Sequence, residues 1–81
     1  MNRKDLLKSL EFILNKGFCE RTIHRAWTEF DKIKQYLAEE DSKLIYQWML
    51  EMDPDYPDHR SNYDYGREQF AFSVKQAMQH I

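Results

Sequence analysis

Both prolines of this 81-residue chain, Pro54 and Pro57, fall within four consecutive positions. A proline inside a helix removes an N–H and clashes with the preceding turn, so no helix runs through them. Gly17 and Gly66 are the only glycines. The chain is therefore nearly free of helix breakers except around one segment, Met49 to Tyr65. That segment holds five carboxylates (Glu51, Asp53, Asp55, Asp58, Asp64) and three of the five tyrosines (Tyr56, Tyr63, Tyr65). A loop this long in a small domain points to function or disorder, and disordered segments are poor in aromatics. The expectation is an ordered, anionic, aromatic binding surface. The alternative is a solvated connector whose tyrosines cap the core.

On either side the apolar residues recur at helical spacing. Asn2 is a natural N-cap with Asp5 three residues on, opening a first helix toward Lys16. Leu6, Leu7, Leu10, Ile13 and Leu14 form its stripe, and Gly17 is expected to close it in the left-handed C′ conformation. A second helix is expected from Cys19 or Glu20, with Ile23, Ala26, Trp27, Phe30, Ile33 and Leu37 as its seam. The apolar phase then continues through Asp41 into Leu44, Trp48 and Met52, with no Gly or Pro to interrupt it. A helix from Glu20 to Met52 is too long for so small a domain, so a break is placed at Glu39–Ser42, with Asp41 or Ser42 as cap. The third helix, Lys43–Met52, is expected to turn Leu44, Ile45, Trp48 and Met52 to one face, with Tyr46 and Met49 at its margins. The last, about Tyr65–Ile81, carries Phe70, Val74, Ala77, Met78 and Ile81 inward. Phe70 to Val74 also alternates like a short strand. Trp27, Phe30, Trp48 and Phe70 are read as core. One domain spanning 1–81 follows: an all-α, small antiparallel four-helix bundle with an acidic Pro/Tyr-containing loop between its third and fourth helices.

The formal net charge of −2 hides an asymmetry. Residues 1–38 carry a balance of +3, residues 39–64 a balance of −6, and residues 65–81 a balance of +1. The acidic part would steer a basic partner and is unsuited to nucleic acid, whose phosphates need cations. The single Cys19 excludes an internal disulfide and a Cys-rich zinc site. No apolar run reaches a membrane span. The basic Met1–Asp5 start is followed by no signal-peptide core or cleavage site, so the expected location is cytoplasmic.

Chemistry-bearing constellations are sparse. His24, His59 and His80 fall on three different segments, and no Ser or Cys lies in a nucleophile motif. Cys19 reads as a small buried hydrophobe and His24 as a helix-boundary residue. Asp53, Asp55 and Asp64 match positions of a calcium loop, but Pro57 and Asp58 stand where an Asp or Asn and the turn glycine are required. Asp58-His59 reads as an exposed pair. Two glycines cannot build a phosphate-cradling loop. No catalysis, metal or cofactor is expected. Tyr56, Tyr63 and Tyr65, off any helical period and among acids, have the composition of a protein interface.

The C-terminal half, with Asp53-Pro54-Asp55, then Arg60-Ser61-Asn62-Tyr63, then the spacing to Val74, Met78 and Ile81, resembles the colicin D immunity family. These are self-protective, colicin-like immunity proteins. Residues 6–25 fit the family more loosely. This chain has extra residues around Tyr56-Pro57 and a shorter link between its second and third helices. The resemblance implies a small helical bundle that binds a cognate tRNA-cleaving toxin domain and offers carboxylates to its basic cleft. It would set Asp53 and Asp55 against the toxin's active site, with Glu51 and Asp58 candidates by proximity. Tyr56 and Asp64 complete the expected surface. Tyr63 belongs either to it or to a staple between loop and bundle, and Asn62 is a natural cap. The rival function is a regulatory or adaptor bundle that binds a basic surface of another protein.

Overall fold

The computed structural model describes residues 1–17, 21–52 and 66–81. It is all-helical: α1 spans Arg3–Lys16, α2 Ile23–Ile33, α3 Glu39–Met52 and α4 Arg67–Gln79, and a 3-10 turn, Lys34–Tyr36, follows α2. No strand occurs among the described residues, so Phe70 to Val74 is helix.

Asn2 caps α1 as its sequence predicts, Oδ1 accepting from the Asp5 N–H at 2.8 Å. Leu6, Leu10 and Ile13 are buried beneath it. Gly17 ends the helix, but not in the left-handed conformation: its φ is −74°. Its backbone N–H donates to the Ile13 carbonyl at 2.9 Å, continuing the helical pattern. The absence of a side chain matters here for a different reason. A Cβ on Gly17 would lie 2.7 Å from the Phe70 ring and 2.9 Å from the Ile13 carbonyl oxygen. The glycine lets α1 end against α4. Gly66 is the residue in the left-handed region, at φ 78°, immediately before α4.

The link between α2 and α3 lies earlier than the spacing predicts. The α-helix stops at Ile33, the 3-10 turn tightens the chain, and Leu37 takes an extended conformation. Leu37 is still buried, so the apolar seam continues across the break although the helix does not. Glu39, Glu40 and Asp41 then fill the first turn of α3, where the exposed N–H groups favour anions. Asp41 is thus inside the helix, and neither it nor Ser42 precedes it as a cap.

The inner face of α3 also differs from expectation. Ile45 and Met49 are completely buried, whereas Leu44 is 36 % exposed and Trp48 half-buried. The innermost stripe runs through Asp41, Ile45 and Met49 at successive i, i+4 steps. Its first member is a carboxylate, only 3 % exposed, which the apolar pattern cannot register. Trp27 is likewise half-buried, while Phe30 and Phe70 are core. In α4, Phe70, Val74 and Ala77 are buried as expected, joined by Ser73, whose hydroxyl donates to the Gln69 carbonyl at 2.8 Å.

Helix α1 packs on both α2 and α4, and α4 packs on α3. Polar contacts tie these helices together. Ser9 donates to Glu29 at 2.6 Å between α1 and α2, and Arg3 Nε donates to the Ile81 carbonyl at 2.9 Å. His80 Nδ1 meets Asp41 Oδ2 at 2.8 Å between the end of α4 and the start of α3.

Candidate partner-binding surface

Of the expected surface residues, Glu51 is described: it is exposed in the last turn of α3. Asp53, Asp55, Tyr56, Asp58, Tyr63 and Asp64 lie outside the described residues, as do Cys19, His59 and the loop expectations for Pro54 and Pro57. Helix α3 thus delivers an exposed carboxylate at its C-terminal end, directly before the acidic sequence. At its N-terminal end it shows Glu39 and Glu40 to solvent. Lys43 reaches back to Glu39 at 3.1 Å, an exposed i,i+4 pair that contributes little to stability.

Between α3 and α4 runs an open groove of about 410 Å³, lined by Leu44, Trp48, Glu68, Gln69, Phe72 and Ser73. Phe72 is 67 % exposed, the most exposed large apolar side chain among the described residues. The apolar spacing directs Leu44 and Trp48 inward and leaves Phe72 off the inward stripe of α4. Its signal was the offset from Phe70: two residues apart on a helix, the two rings face nearly opposite directions.

A second apolar region joins α2 to α3. The Tyr46 ring lies 5.7 Å from Trp27 in an edge-on arrangement and 6.4 Å from Phe30 in a stacked one. Such geometry suits the ring quadrupoles, yet Tyr46 keeps half its surface in water. On the opposite side, His24, Arg25, Thr28, Glu29 and Lys32 of α2 line a groove with Phe12 of α1. Its cations are partly offset, since Glu29 sits 3.8 Å from Lys32.

Asp41 with His80 has the form of an orienting acid and a base. Among the described hydroxyls, Ser9 donates to Glu29, Thr22 to the Lys16 carbonyl, Thr28 to the His24 carbonyl and Ser73 to the Gln69 carbonyl. No cluster of three or more metal-ligating side chains occurs among the described residues. No helix among them is long and apolar enough to cross a membrane. The surface presents carboxylates along α3 and exposed aromatic and aliphatic side chains beside them. No family model, curated protein or solved structure matches the chain.

Proposed function

We propose that this chain is a non-enzymatic, cytoplasmic immunity protein of the colicin D type, an antiparallel four-helix bundle that neutralises a cognate tRNA-cleaving toxin domain. The observation that carries the reading is the concentration of charge: residues 39–64 hold eight carboxylates against Lys43 and Arg60. A nuclease cleft built for phosphates attracts such a surface, because complementary fields speed encounter and fix register. The exposed Glu51 leads directly into the acid-Pro-Asp and Arg-x-Asn-Tyr sequences that resemble the family. The antiparallel arrangement is supported by two contacts. The end of α4 meets the start of α3 through His80 and Asp41, and the end of α1 meets Phe70 near the start of α4.

Asp53 and Asp55 form the centre of the proposed surface, with Glu51, Tyr56, Asp58, Tyr63 and Asp64 around them. The test pairs growth rescue with titration. Cells expressing a colicin D-like or contact-dependent tRNase domain should survive when this chain is co-expressed with its cognate toxin. Asp53→Ala and Asp55→Ala should each weaken binding by about 2–5 kcal/mol, mostly through faster dissociation, with the denaturation midpoint unchanged. Wild-type affinity in both variants would remove the phosphate-mimic mechanism. Failure to rescue against a full panel of such toxins would remove the function.

A further inference from the structure

The exposed face of α4 has a symmetry of its own. Glu68, Phe72, Lys75 and Gln79 follow at helical i, i+4, i+7 and i+11 steps, and all are exposed. The acid lies four residues before the phenylalanine and the base three residues after it. Beside this stripe is the groove of Leu44, Trp48 and Gln69.

We propose that this face binds a second copy of the chain, α4 crossing its two-fold mate in opposite direction with the two Phe72 side chains near the axis. Reversing α4 about Phe72 brings Glu68 of each copy against Lys75 of the other, giving two identical ion pairs. Each Phe72 ring then enters the groove of the opposite copy between Leu44 and Trp48. The contact is isologous and closes at two subunits. A second copy fits better than a foreign basic or acidic segment, because the stripe carries one charge of each sign on either side of its apolar residue. A uniformly charged partner would meet repulsion at one end. Aromatic residues filling a groove are the usual anchors of such interfaces. A chain of this size also buries a limited core, and association is a common supplement.

The inference does not depend on the proposed toxin partner, and sedimentation equilibrium of the full chain tests it without one. From micromolar to near-millimolar concentration the wild type should pass from monomer to dimer mass. Phe72→Ala should raise the dimer dissociation constant at least about tenfold. It should keep its helical circular dichroism, since alanine is a good helix former and the ring is exposed. Glu68→Lys and Lys75→Glu should each weaken the dimer, and the double exchange in one chain should restore it. A wild type that stays monomeric throughout overturns the proposal and leaves the groove to a foreign partner. A dimer indifferent to Phe72→Ala overturns it as well. A double exchange that fails to restore association refutes the two-fold register.

Discussion

Asp41 is a carboxylate in the innermost stripe of α3, its side chain 4 % exposed, with His80 as its partner. Burying such a group without a hydrogen bond is costly, and the imidazole Nδ1–H supplies one at 2.8 Å. The N-terminal turn of α3 adds a favourable field. His80→Ala should therefore destabilise the fold by about 1–3 kcal/mol, the cost of a buried acceptor left unmade. Asp41→Leu combined with His80→Ala should recover most of that loss, since neither polar group then lacks a partner. Urea denaturation of both variants measures this. Equal losses in the two would mean that the pair does not act as a unit. This contact was not legible in the sequence, because nothing local links residues 39 positions apart. The Asn2 cap was legible, because its partner is three residues away. Gly17 was legible as a helix end, but the reason for glycine there is the Phe70 ring from another helix.

The existence of each helix could be read from its own apolar period, since spacing of 3.6 is a local property. The phase of α3 could not. Its apolar residues are numerous enough to define two overlapping stripes, and the one that faces the core begins with Asp41. Choosing between them requires α4, which packs against it. Ile45→Ala or Met49→Ala should cost about 2–5 kcal/mol as core truncations. Leu44→Ala should cost about 1 kcal/mol or less, because that side chain already meets water. Denaturation midpoints compare the three, and a Leu44 loss equal to that of Ile45 would rotate the helix back. The boundary before α3 was misplaced for a related reason. Burial of Leu37 keeps the seam continuous across a 3-10 turn that contains neither glycine nor proline. The candidate surface rests on charge and composition in the sequence, and Glu51 is its described member.

At the scale of the molecule, α1 sits between α2 and α4, and α3 packs on α4 while its Tyr46 meets Trp27 and Phe30 of α2. The helices therefore follow one another around the bundle in the order of the chain. Arg3 Nε and the Ile81 carbonyl lie 2.9 Å apart, so the first helix and the last residue are neighbours. That proximity makes the covalent order of the helices negotiable. A glycine-serine bridge of a few residues, each reaching about 3.3–3.6 Å, would join residue 81 to residue 1, and the chain could then be opened within 53–65. The circular permutant runs α4, α1, α2, α3 and retains every helix–helix contact described. Such rearrangements succeed where ends are close, and this cut leaves the four described helices whole. It should keep the helical circular dichroism and the cooperative melting of the parent. A permutant that loses both would mean that the connection between α3 and α4 helps to specify the fold. One that keeps them would make the helices a scaffold indifferent to its starting point, with the acidic sequence divided between two new ends.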